Sequence, residues 1–152
     1  MKHKFLLDMN VIYYAVSGVD ERGAPDLTCT ELILLIATNC HSIIMSENLI
    51  ERYIEHIQWL QRKPTPALPP LRVWNELIVN SQKAVWEKNA PPDLPQGVRV
   101  PQNDMYIVRA ALASRPWVVT CDNTLAQSIR EQPLLGLHAI RPTEALKLAQ
   151  DT

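Results

Sequence analysis

The chain is poor in several features that most often mark a ligand or a compartment. Its three cysteines, Cys29, Cys40 and Cys121, are odd in number and include no Cys-x-x-Cys pair. That argues against a disulfide framework or a zinc site and for buried free thiols. No apolar run approaches the roughly 18 residues of a membrane helix, so no membrane partner is expected. A basic excess is missing too: the formal net charge is −1, whereas a non-specific nucleic-acid binder usually carries a strong positive balance. A cluster of site carboxylates would itself lower that total. The histidines His3, His41, His56 and His138 are scattered without metal-ligand spacing and read as surface or satisfied side chains. There is no internal repeat, no G-x-G-x-x-G, no Walker A and no G-x-S-x-G, which excludes the common dinucleotide, P-loop and serine-hydrolase signatures. The opening run Met1-Lys2-His3-Lys4-Phe5-Leu6-Leu7-Asp8 meets an acid before a signal-peptide core could develop, so a cytoplasmic protein is expected.

At 152 residues, 47% of them hydrophobic, the chain is long enough to bury a single core. Residues 4–7 and 11–12 are apolar and β-prone around Asp8, which predicts a short buried strand ending near the acid. Residues 28–38 fit a helix with Thr28 or Asp26 near its cap, residues 42–45 a second strand, and Ser46 caps a helix over 47–57. In that helix Leu49, Ile50, Tyr53, Ile54 and Ile57 recur at helical spacing. The proline-rich runs Lys63–Pro70 and Ala90–Pro95 read as loop punctuation, and as PPII ligands only second. Between them, residues 71–89 look helical, with Val73, Trp74, Leu77, Ile78 and Val85 on one face. A helix over 104–114, a strand over 116–120, a helix over 124–131, a fourth strand at 138–140 and a closing helix capped by Thr143 complete the chain. Strands alternating with helices predict a parallel sheet in an α/β sandwich. In such sheets ligands gather beyond the carboxyl ends of the strands, where Asp8 and Asp122 fall.

Three acids carry the chemistry. Asp8 stands between Phe5-Leu6-Leu7 and Val11-Ile12, where a carboxylate is costly unless it is paired or bound to a metal. Asp104 heads a helix, and Asp122 comes just after the strand Val118-Val119-Thr120. Each of the latter two also suits a simple helix cap or turn. Together, three carboxylates at one sheet edge suit a hard divalent cation held against a phosphate.

The run Leu7-Asp8-Met9-Asn10-Val11 resembles the opening strand of the PIN-domain (PilT N-terminus-like) nucleases. Asp104 before the Ala-rich helix Arg109-Ala110-Ala111-Leu112-Ala113 resembles that family's third acidic motif, and Thr120-Cys121-Asp122-Asn123-Thr124-Leu125 its fourth. Pro142-Thr143-Glu144-Ala145-Leu146 is similar to the common closing helix. The resemblance covers residues 4–60 and 101–148. It implies a three-layer α/β/α sandwich with a short central parallel sheet, forming one domain over 1–152 with a proline-flanked helical insertion at about 61–100. It also implies metal-dependent phosphodiester hydrolysis, usually of RNA, with Mg²⁺ or Mn²⁺ as the cofactor that carboxylates favour. Asp8 and Asp104 are then the principal ligands, and Asp122 binds metal directly or through water. Asn10 orients Asp8, Thr120 contacts water or phosphate, and Asn123 supports them.

The second acidic motif departs from the pattern. Aligning Ser46, Leu49-Ile50 and Tyr53 puts Arg52 where the family has Glu. Glu51 lies one residue early, about 100° round the helix, and Glu47 a further turn back. Either Glu51 completes the site through a shifted helix, or the site has three acids, with Glu47 and Glu51 on an exposed face. The resemblance admits a toxin of a toxin–antitoxin pair, with an antitoxin protein over the acidic site, and a homodimer with Trp74 and Trp86 at an interface or lid. Trp59, Trp74 and Trp86 could instead stack on bases. The competing readings are a catalytically degenerate PIN scaffold that binds RNA or a protein, and a haloacid-dehalogenase-like phosphatase. The phosphatase wants an acid where Asn10 stands, and a receiver-type signalling domain wants an N-terminal Asp pair and a late Lys; neither is met.

Overall fold

The computed structural model describes residues 2–61, 68–87 and 93–151. Five parallel strands form one sheet: β1 (Lys4–Leu7), β2 (Ser42–Met45), β3 (Ala84–Trp86), β4 (Trp117–Val119) and β5 (His138–Ile140), in the order β3-β2-β1-β4-β5. Helices α1 (Met9–Ser17) and α2 (Thr28–Thr38) link β1 to β2. Helices α3 (Glu47–Gln61) and α4 (Leu68–Val79) lie between β2 and β3, and α5 (Met105–Ser114) precedes β4. Helix α6 (Asn123–Arg130) joins β4 to β5, and α7 (Pro142–Gln150) closes the chain. The α/β sandwich with a short central parallel sheet therefore stands as expected.

The strands are short and mostly apolar. Phe5, Leu6 and Leu7 of β1 and all four residues of β2 are buried, the continuous pattern of a parallel sheet covered on both faces. Helix α2 packs against α1, α4 and α7, while α3 packs against α5. No helix among the described residues is long and apolar enough to cross a membrane.

Several local expectations are corrected. The strand ends beside Asp8 as expected, and the β-prone Val11 and Ile12 that follow are core residues of helix α1. The helix expected over 71–89 stops at Val79. Asn80 makes a turn there, its side-chain oxygen accepting the Gln82 N–H at 2.9 Å and its carbonyl the Lys83 N–H at 3.0 Å. The β-prone Val85 and Trp86 then pair with β2 as an edge strand. Lys83 fastens that strand to the end of α2, its ammonium donating to the carbonyls of Ile36, Asn39 and His41. The stretch read as a helical insertion thus supplies a strand of the main sheet. Trp74 is wholly buried, edge-on to Tyr53 at 5.3 Å between ring centres, so it is a core residue and no interface or lid; Trp86 is 42% exposed. Helix α7 starts at Pro142 with Arg141 as its cap, two residues before the expected cap Thr143. The free thiols are not uniformly buried: Cys29 is, Cys121 is half-buried and Cys40 is exposed. Residues 63–67 and 90–92 of the proline-rich runs, and the side chain of Trp59, lie outside the described residues.

Candidate active site at the carboxyl edge of the sheet

The sheet order places the site. From β1 the chain works outward through β2 to the edge strand β3, then returns to β4 on the other side of β1 and continues to β5. The carboxyl ends of β1 and β4 therefore flank a topological switch point, the usual position of a ligand crevice in an open parallel sheet. Asp8 comes directly after β1, and Thr120, Cys121 and Asp122 directly after β4.

Asp8 is nearly buried, at 7% exposure. One carboxylate oxygen accepts the Met9 N–H at 2.7 Å. The other accepts the Thr120 hydroxyl at 2.7 Å and the Asn10 amide at 3.1 Å. Burial pushes the carboxyl above its ordinary value and the negative Asp122 adds to that, while the bonds from Thr120, Met9 and Asn10 oppose it. Its backbone N–H donates to the Val119 carbonyl at 2.9 Å, carrying the β1–β4 ladder up to the acid itself.

Asn10 and Thr120 lock the two strand ends together. The Asn10 side-chain oxygen accepts the Cys121 N–H at 3.2 Å while its amide holds Asp8. Thr120 is fully buried; its hydroxyl donates to Asp8 and accepts the Asp122 N–H at 2.9 Å. With its hydrogen and one lone pair committed within the protein, the Thr120 hydroxyl links Asp8 to the Asp122 backbone.

Asp122 caps α6, one oxygen accepting the N–H groups of Thr124 at 2.8 Å and Leu125 at 3.4 Å. The helix-cap reading of Asp122 is therefore true as far as it goes. Asp104 is different. It closes a single 3₁₀ turn (Gln102–Asp104) at the head of α5, and its side chain makes no capping hydrogen bond. Burial raises its carboxyl, and the negative charges of Asp122 and Asp8 add to the effect. Of the three, Asp8 and Asp122 follow the neighbouring strands β1 and β4, and Asp104 stands at the head of α5. Among the described residues, no group of three His, Cys, Asp or Glu side chains is arranged to hold a metal ion.

Asn123 is turned aside. Its side-chain oxygen accepts from Arg141 at 2.6 Å, and Arg141 also donates to Glu21 at 2.7 Å and to the Cys121 carbonyl at 3.3 Å. A cavity of about 290 Å³ lies there, lined by Tyr14, Cys29, Cys121 and Arg141 among others and by none of the three aspartates.

On α3, Tyr53 is buried and its hydroxyl donates to the Leu7 carbonyl at 2.5 Å, clamping the backbone just before Asp8. The sequence marked Tyr53 as apolar core; the signal for more was that a buried phenol has to find an acceptor. Glu47 and Glu51 are exposed. At about 100° per residue, Glu51 points roughly 200° away from Tyr53, which leaves the three-acid alternative standing. Arg52 is exposed as well, and its guanidinium lies over the Tyr106 ring, 4.8 Å from the centre. Tyr106 stands two residues after Asp104, and no sequence pattern singles it out. Its phenol is pushed up to about 12, chiefly by burial and then by Asp8, with Arg52 opposing and Asp104 adding.

Fold and crevice together define an open α/β protein with carboxylates at its switch point. No protein-family model matches the sequence and no curated protein resembles it significantly. Among solved structures, the chain is similar to a PilT N-terminus domain protein, SSO1118, from the archaeon Sulfolobus solfataricus. The TM-score is 0.51 at 11% identity, over 98% of this chain and 95% of that one. At that identity the likeness is one of fold: the chain has a PIN-type fold, as the motifs around Asp8, Asp104 and Asp122 suggested.

Proposed function

We propose that this chain is a metal-dependent phosphodiesterase that cleaves RNA. One observation carries the reading: Asp8, a buried carboxylate fixed by three hydrogen bonds at the switch point, shares its electrostatic field with Asp104 and Asp122.

The donor set fits Mg²⁺ or Mn²⁺. All three side chains offer hard oxygens, and Asp104 keeps its carboxylate free of any cap. Mg²⁺ is commonly held through one or two carboxylates with water in its remaining positions, so a closed cage of three protein ligands is not required. Asp8 and Asp104 are the proposed principal ligands, with Asp122 third, directly or through water. When bound, the cation supplies charge neutralisation at the phosphate and activation of water. The chain's own part is placement. Thr120, Asn10 and the Met9 N–H hold Asp8, Thr120 sets Asp122, and Tyr53 fixes the strand end before them. Hydrolysis adds water at phosphorus and breaks one P–O bond of the diester, leaving a monoester and a hydroxyl.

Asp104 and Asp122 are both partly open to solvent, so an extended single strand has access to them. The same opening suits an antitoxin-like protein covering the carboxylates, as in a toxin–antitoxin pair, and a second copy of the chain is the further partner proposed. The test is incubation of end-labelled, mixed-structure RNA with Mn²⁺ or Mg²⁺, against EDTA and an Asp8→Asn control. Metal-dependent cutting that disappears in the control supports the nuclease. Intact RNA in every lane, from folded protein at high concentration, rejects it in favour of a scaffold that binds without cutting.

A further inference from the structure

Arg52 stands where the resemblance calls for an acid, and the structure gives it a definite setting. Its guanidinium is stacked on Tyr106 and exposed. The ion pairs among the described residues are Arg109 with Asp93 and Arg141 with Glu21, so no carboxylate there neutralises Arg52. Stacking on a ring holds the guanidinium plane while leaving its N–H edge open, and that edge matches two oxygens of a phosphate. The ring beneath it belongs to the first turn of α5, next to Asp104.

We infer that Arg52 binds a backbone phosphate of single-stranded RNA beside Asp104, at the rim of the proposed active site. The inference rests on the nuclease reading. Three carboxylates repel a polyanion, and a fixed cation on the α3 side offers the strand a point of attachment that leaves the acids free. Tyr106 acts as the platform that limits where the cation can swing. An acid at position 52 would instead add to the repulsion.

The experiment uses the full chain carrying Asp104→Asn, so that RNA survives, and a fluorescein-labelled single-stranded RNA of mixed sequence. Anisotropy titrations at several salt concentrations give affinity and salt slope. Arg52→Ala is expected to weaken binding about tenfold and to reduce the slope of log K against log salt by about 0.7, the value for one phosphate contact on a single strand. Arg52→Lys should restore the slope with part of the affinity, because the charge returns without the planar fork. Arg72→Ala, which removes an exposed charge on α4, should change neither. With Asp104 intact, Arg52→Ala should raise KM more than it lowers kcat. An unchanged slope in Arg52→Ala overturns the inference, whatever its affinity. If the parent cuts RNA and Arg52→Ala is indifferent in both assays, this inference alone falls. If the parent neither binds nor cuts RNA, the nuclease reading falls and takes it along.

Discussion

The Thr120 hydroxyl donates to the Asp8 carboxylate at 2.7 Å across the junction of two neighbouring strands. The two residues are 112 positions apart in sequence, and the bond ties the carboxyl end of β1 to the carboxyl end of β4. The same oxygen accepts the Asp122 N–H, so one buried hydroxyl sets the geometry of two of the three acids.

Thr120→Val keeps the shape and removes that hydroxyl. It leaves the buried Asp8 short of a donor and the Asp122 N–H short of an acceptor, an expected loss of about 1–3 kcal/mol in urea unfolding. Cleavage should fall with it, and Thr120→Ser should recover most of both. Equal stability of the Val variant and the parent would show that the bond contributes nothing.

Burial and mutual repulsion raise Asp8 and Asp104 above the ordinary 3.8. A carboxyl raised by folding binds its proton more tightly in the folded state. Its contribution to stability is therefore complete below 3.8 and is lost as pH climbs through the raised folded value. The metal-free protein should accordingly gain from Asp104→Asn at neutral pH, by roughly 1–3 °C in calorimetric midpoint, and the gain should vanish as pH falls toward 4. A lower midpoint for the variant at neutral pH would reveal a partner for Asp104. Mg²⁺ at ten times its dissociation constant should stabilise the parent by about 1.4 kcal/mol, and less in the variant.

Glu51 and Asp104 should separate cleanly in a cleavage assay. Glu51→Gln alters an exposed face of α3 and is expected to keep the rate within about twofold. Asp104→Asn should lose on the order of a hundredfold or more, the scale of removing one group that stabilises developing charge. A large loss in Glu51→Gln would restore the fourth acid to the site.

Trp74→Ala opens a hole beneath Tyr53 and should cost about 3–5 kcal/mol in chemical denaturation. Trp86→Ala, on a half-exposed edge strand, should cost far less. A change in oligomeric state caused by Trp86→Ala alone, read by light scattering, would assign the dimer surface to that edge.

Local sequence determined four of the five strands and most helices, because apolar runs such as Phe5-Leu6-Leu7 and the caps Ser46 and Asp122 act within a few residues. It also marked Asp8, since an acid amid apolar neighbours needs a reason, while Asp104 and Asp122 stood out through the motifs around them. Strand β3 was not legible: three residues after a turn at Asn80 become a strand only when β2 is there to pair with. Register and order are long-range choices, and they set the Asp8 end of β1 beside the Thr120–Asp122 end of β4. The stacking of Arg52 on Tyr106, the clamp from Tyr53 to Leu7 and the diversion of Asn123 to Arg141 were likewise decided by tertiary packing. Each depends on the direction a side chain takes from one element toward another, and no spacing along a single element encodes that.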